Sequence, residues 1–117
     1  MTQTVEIALS PNMPPELASQ LVTLGRLSTA GHCISPGTRV FACTVGDSVD
    51  ASLINRLPAT VELIATAGVE TDHIDLDAAR TRGIRISNTP GTTQDAALRL
   101  KANIAAFLDR GLPLDRV

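Results

Sequence analysis

Two stretches of this chain, Val40-Phe41-Ala42-Cys43-Thr44-Val45 and Val61-Glu62-Leu63-Ile64-Ala65, run almost without polar alternation. A strand with one face in water alternates apolar and polar side chains, whereas a strand covered on both faces does not. Both stretches are therefore predicted as buried strands of a parallel sheet, which needs crossover segments to cover it. The segment between them fits: Asp50 offers an N-cap, Leu53, Ile54 and Leu57 form one apolar face, and Pro58 ends the helix. Asp75 caps a second short helix that runs to Arg82 and stops at Gly83, before a strand over 84–86.

The rest of the chain repeats the alternation. An apolar run over 5–9, broken by Glu6, ends at Ser10-Pro11 and predicts a first strand and a turn. Pro14 and Pro15 suit the first turn of a helix whose Leu17, Leu21 and Leu24 recur at i, i+4 and i+7. Ala18 and Val22 widen that stripe, the helix closes near Gly25, and a short strand over 27–29 follows. Asn88-Thr89-Pro90-Gly91 carries type II turn chemistry and leads into a helix over 93–110. The stripe of that helix is Ala97, Leu100, Ile104, Phe107 and Leu108, with Gly111 and Pro113 beyond it. Strands alternating with helices predict an open, mostly parallel α/β sheet with helices on both faces.

Composition narrows the function classes. A length of 117 residues predicts one domain, 1–117, and 44% hydrophobic residues suffice for a core. Phe41 and Phe107 are the whole aromatic content, so the core is aliphatic and stacking platforms for single-stranded nucleic acid are missing. A formal charge of −2 with scattered Lys and Arg argues against nucleic acid as a partner. No apolar run approaches the length of a membrane span, and Met1-Thr2-Gln3-Thr4 does not open a signal peptide, so a soluble cytoplasmic protein is expected. Cys33 and Cys43 are expected as free thiols.

A family resemblance rests on Leu63-Ile64-Ala65-Thr66-Ala67-Gly68-Val69, Thr71-Asp72-His73-Ile74-Asp75-Leu76, Ala78-Ala79-Arg80, Arg82-Gly83-Ile84 and Ser87-Asn88-Thr89-Pro90-Gly91. In this order they resemble the first domain of the D-isomer-specific 2-hydroxyacid dehydrogenases of the glyoxylate/hydroxypyruvate reductase type. Val49-Asp50 and Leu53 agree with it. The resemblance implies a flavodoxin-like, five-stranded parallel sheet in the order 2-1-3-4-5. After Gly91 such an enzyme would cross into a dinucleotide-binding domain, whereas Leu98 to Leu108 and Gly111-Leu112-Pro113-Leu114 resemble the family's C-terminal segment. Residues up to about 95 and from about 96 to 117 are accordingly expected as two parts of one substrate-binding domain. The join falls near 94–98, as in an engineered fragment with the cofactor domain excised.

The same resemblance sets the expected chemistry. No three of the eight glycines make GxGxxG, so no cofactor is expected in this chain, and NAD(P) is implied for the parent enzyme. The family's catalytic Arg, Glu and His fall outside the matched segments, and neither His32 nor His73 matches that His. No catalytic residue is therefore assigned, and the chain alone is expected to be inactive. By resemblance, the Val69 and Glu70 N–H groups in the loop Ala67-Gly68-Val69-Glu70 hold a substrate carboxylate, with Val45 against the small substituent. The partner expected is a small 2-keto or 2-hydroxy acid, bound weakly. Glu70 departs from the glycine common there, and its charge would repel a carboxylate unless it points outward.

Other candidates favour structural roles. His73 follows Asp72 before a helix cap and is expected to be solvated or capping. Adjacent His32 and Cys33 do not make a zinc site. Asp72, Asp75 and Asp77 suit a helix N-terminus better than a cation, and Thr92-Thr93-Gln94-Asp95 reads as a helix start. An independent flavodoxin-like binding or interaction module is the alternative function. A flavin carrier is disfavoured by the lack of a Ser/Thr-rich loop after the first strand and of Trp or Tyr. The oligomeric state and the hydroxyacid stay open.

Overall fold

A computed structural model describes residues 5–29, 34–89 and 93–117. In chain order the elements are β1 (Glu6–Leu9), α1 (Pro15–Leu21), β2 (Arg26–Thr29), β3 (Val40–Thr44), α2 (Ala51–Arg56), β4 (Leu63–Ala67), α3 (Leu76–Thr81), β5 (Arg85–Ser87) and α4 (Thr93–Arg110). All five strands pair in parallel in the order β2-β1-β3-β4-β5, the order expected from the sequence.

The apolar runs are apolar because both faces of the central strands are covered. Phe41, Cys43 and Ile64 point into a core with Val49, Ile54, Ile74, Ala79 and Ile86, under α2 and α3. Val40, Ala42, Leu63 and Ala65 point the other way, onto Leu21 of α1 and Leu100, Ile104 and Phe107 of α4. Leu100, Ile104 and Phe107 are 0%, 0% and 3% exposed, so α4 docks on the stripe expected of it. The Arg39 guanidinium lies 5.9 Å from the centre of the Phe107 ring, within cation–π range.

Several boundaries move, each for a visible reason. α1 ends at Leu21 rather than near Gly25, and Val22 is exposed instead of widening the stripe. The chain must turn at once to pair with β1: Arg26 N–H donates to Val5 O at 2.7 Å, and a Cβ on Gly25 would lie 2.3 Å from that oxygen. β4 begins at Leu63 rather than at 61, because Val61 N–H is taken by Pro58 O in the turn leaving α2. β5 begins at Arg85, since Ile84 N–H closes the end of α3 by donating to Ala79 O. Asp50 and Asp75 cap α2 and α3 as expected, accepting from the N–H groups of Leu53 and Ala78. Arg82 then donates to the carbonyls of Ile54, Leu57 and Pro58, tying α3 to the end of α2. The turn chemistry expected at 88–91 lies partly outside the described residues, as do His32, Cys33 and Thr92.

The last three residues do something the sequence does not announce. Val117 N–H donates to Ile86 O at 2.9 Å, Asn88 N–H donates to Asp115 O at 3.2 Å, and Ser87 and Arg116 form an antiparallel bridge. Asp115 is held there by buried Asn103: Asn103 Nδ2 donates to its carboxylate at 2.9 Å, and Asp115 N–H donates to Asn103 Oδ1 at 2.7 Å. Arg99 adds a bidentate pair from one turn earlier on α4.

Because α4 shares with α1 the covering of one face of the sheet and Phe107 is 3% exposed there, Phe107→Ala should cost about 3 to 5 kcal/mol. A denaturant titration should show the lowered midpoint, and an unchanged midpoint would mean that α4 is not docked.

Candidate functional site

β3 and β4 run in register to their ends, with Thr44 beside Ala67. The next residue of each strand leaves the sheet at the same level, which brings Val45 and Gly68 together. A Cβ on Gly68 would sit 2.6 Å from Val45 Cγ1, and Gly68 φ is 157°. A side chain is thus excluded there by contact as well as by conformation. Val45 and Val69 are 52% and 53% exposed and stand as apolar shoulders, and Glu70 is exposed beyond them.

The loop is anchored through its carbonyls. Thr89 N–H donates to Gly68 O at 2.7 Å and Thr89 Oγ1 donates to Thr66 O at 2.7 Å, while Asn88 Nδ2 donates to Val69 O at 3.3 Å. The N–H groups of Val69 and Glu70 meet no acceptor among the described residues. Successive unpaired N–H groups at the carboxyl end of a central strand suit an anion, and open α/β sheets place ligands at that end. The four residues expected at the site, Val45, Gly68, Val69 and Glu70, therefore lie together.

Between the ends of β1 and β3 is a polar cluster that the sequence reading missed. Asp47 Oδ1 accepts from Asn12 Nδ2 at 2.8 Å, and Oδ2 accepts from Thr44 N–H at 2.7 Å and Thr44 Oγ1 at 3.0 Å. Burial pushes its pKa up, but hydrogen bonds outweigh burial and hold it below the ordinary value. Ser10 Oγ is close enough to contribute to that, although it makes no bond of full geometry. The available signal was Asp47 following Gly46 directly at the end of an apolar strand.

His73 is neither freely solvated nor a cap, contrary to expectation. Its half-buried ring places Nε2 2.9 Å from Thr66 Oγ1, and its carbonyl accepts from Val49 N–H at 2.8 Å. The cause is the bridge between Val49 and Ile74, which draws the turn after the loop against the segment before α2. Burial depresses the His73 pKa, against the pull of Asp47 and Asp72. Cys43 is a buried free thiol, pushed up to about 12 chiefly by burial; a thiol so high is a poor nucleophile. Asp75 and Asp77 take the helix-terminal positions expected of them.

Asp47, His73 and Asp115 share one sign of pH dependence. Hydrogen bonds from Arg99 hold the Asp115 pKa below the usual carboxylate value, as the cluster does for Asp47. Their stabilisation is present above the unfolded value of 3.8 and is lost as pH falls through the native values. The depressed His73 makes the unfolded chain take up a proton first as pH falls below 6.5, which also favours unfolding. The thermal midpoint should therefore fall in two stages on acidification from neutral pH. His73→Gln should flatten the first stage and Asp115→Asn the second; a midpoint that rises on acidification would contradict both assignments.

Comparisons with known proteins bear on the same elements. A family model described as the catalytic domain of D-isomer specific 2-hydroxyacid dehydrogenases matches residues 12–98. Glyoxylate reductase/hydroxypyruvate reductase of Mus musculus is 35% identical over 77 residues, which cover 66% of this chain and 24% of that protein. Its human counterpart is 31% identical over the same length and shares. The chain thus spans about a quarter of the length of these relatives. Among solved structures, the fold is shared with an NADPH-dependent glyoxylate/hydroxypyruvate reductase from Sinorhizobium meliloti, in complex with NADP and malonate. That match has a TM-score of 0.67 and 19% identity, and covers 76% of this chain and 29% of that one. A 2-hydroxyacid dehydrogenase from Ketogulonicigenium vulgare aligns over 99% of this chain and 45% of its own, with a TM-score of 0.65 and 22% identity.

Proposed function

Because the chain belongs to the D-isomer specific 2-hydroxyacid dehydrogenase family, we propose that it is the substrate-binding part of an NAD(P)-dependent oxidoreductase and transfers no hydride alone. The ligand is a small 2-keto or 2-hydroxy acid of the glyoxylate or hydroxypyruvate class, and the setting is cytoplasmic. The observation that carries this is the pair of unpartnered N–H groups on Val69 and Glu70, beside Val45 at the ends of β3 and β4. Two such donors hold a carboxylate, and the apolar Val45 shoulder suits a substituent of few atoms. The names of the mammalian relatives support the substrate class.

The residues present do not fit a dinucleotide. The turn after β1 reads Ser10-Pro11-Asn12-Met13-Pro14, with no glycine to let a backbone approach a pyrophosphate. The cofactor and the acid and base of hydride transfer then belong to a domain outside this chain, which is why the chain alone is silent. The proposal also treats residues 1–95 and 96–117 as two segments of one substrate domain, joined by engineered excision of the cofactor domain. It is supported by the family match ending at 98 while α4 continues unbroken onto the sheet.

Titration with oxalate or glyoxylate, followed by backbone amide shifts, tests the site. Gly68, Val69 and Glu70 should move first, with a Kd on the order of millimolar, because no guanidinium clamps the ligand from a second domain. Glu70→Gly should tighten binding a few-fold by removing a like charge. Absence of any saturable shift in this loop would overturn the site. Steady loss of absorbance at 340 nm with NADH or NADPH and glyoxylate, above the rate without protein, would overturn the claim of inactivity.

A further inference from the structure

We propose a second site, for a small multiply charged oxyanion of the phosphate or polycarboxylate class, in a depression at the β5 edge of the sheet. It does not depend on the β4 loop. The depression holds about 230 Å³ and is ringed by Arg80, Arg85 and Arg116 around Gly83, Ile86 and Val117. That volume is small for a drug-sized ligand. It admits an inorganic phosphate, a diphosphate or a tricarboxylate, but not a duplex or a helix.

The topology explains why three arginines meet there. Arg116 bridges Ser87 in antiparallel fashion, and Arg85, two residues before Ser87, shares its face of the strand. Arg85 and Arg116 are thus diagonal neighbours across a strand pair, where opposite charges stabilise and like charges do not. Arg80 comes from the last turn of α3, which feeds β5 through Gly83. Its placement at a helix C-terminus is ordinary; that reason covers neither Arg85 nor Arg116.

Among the described residues, no carboxylate side chain lines the depression and none of the three arginines is in an ion pair, the pairs there using Arg39, Arg99 and Arg110. A protein of formal charge −2 therefore gathers three guanidinium groups with no acidic side chain among the described lining residues. A bound oxyanion would remove that repulsion and offers the bidentate geometry that guanidinium groups match. The backbone beneath two of them is already pinned: Val117 N–H donates to Ile86 O at 2.9 Å and Arg85 N–H to Glu62 O at 2.9 Å. Little backbone ordering remains for the ligand to impose, and its cost is confined to the arginine side chains.

The test is a titration of the ¹⁵N-labelled protein with pyrophosphate, inorganic phosphate and citrate, at ionic strength held constant with sodium chloride. The amides of Gly83, Arg85, Arg116 and Val117 should shift saturably, with half-saturation on the order of 1 mM, while Val69 and Glu70 stay in place with pyrophosphate. Arg85→Gln and Arg116→Gln should each weaken binding at least about fivefold without lowering the thermal midpoint, and the double variant should abolish it. Preference for pyrophosphate over citrate assigns a phosphate ligand, and the reverse a polycarboxylate. Non-saturating shifts, shifts spread equally to Arg26 and Arg110, or binding that survives in the double variant would overturn the site.

Discussion

The in-register pairing of β3 with β4 is the interaction on which the remainder of the structure depends. Five consecutive residue pairs, from Val40 with Leu63 to Thr44 with Ala67, align the two most apolar strands and carry them to the same level. The alternation of their side chains divides the interior into two cores, one beneath α2 and α3 and one beneath α1 and α4. A slip of one residue would send each side chain to the opposite face. It would also part Val45 from Gly68, and with them the close approach that favours a glycine at the head of the loop.

Polar groups complete what this pairing begins. The turn after the β4 loop is joined to the segment before α2 by Val49 and to β4 by His73 on Thr66, and Thr89 holds the loop from the β5 side. Every one of these contacts uses a carbonyl or a side chain and leaves the Val69 and Glu70 N–H groups without an acceptor among the described residues. Buried polar groups are costly unless partnered, and the Asp47 carboxylate is partnered by Asn12 and Thr44 at the ends of β1 and β3. The same principle operates at the far edge, where Asn103 is 0% exposed and finds partners on Asn88, Arg99 and Asp115.

The site and the sheet were legible in the sequence to different depths. Uninterrupted apolar runs, Asp50 and Asp75 as caps, and Leu100, Ile104 and Phe107 at helical spacing are local signals, and the elements they predict are present. Val45, Gly68, Val69 and Glu70 came from family resemblance, and the register of β3 and β4 puts them side by side. Asp47 and His73 were not legible as partners of a cluster. Asn12 and Thr44 meet Asp47, and Thr66 meets His73, only after strands that are distant in sequence have paired.

Sequence alone determined the alternation of strands and helices, because periodicity and capping are properties of a few neighbouring residues. It also determined that the core is aliphatic and, through resemblance, the order of the strands. Tertiary structure decided where α1 stops, since Gly25 must pass against Val5 O, and where β4 and β5 start, since Val61 and Ile84 are claimed by turns. It alone decided that the last residues return to the β5 edge, because Asp115 has no local partner and is held by Asn103 and Arg99 on α4. The physical reason is common to these cases: a donor or acceptor far along the chain decides which residues remain free to be helix or strand, and no window of adjacent residues contains it.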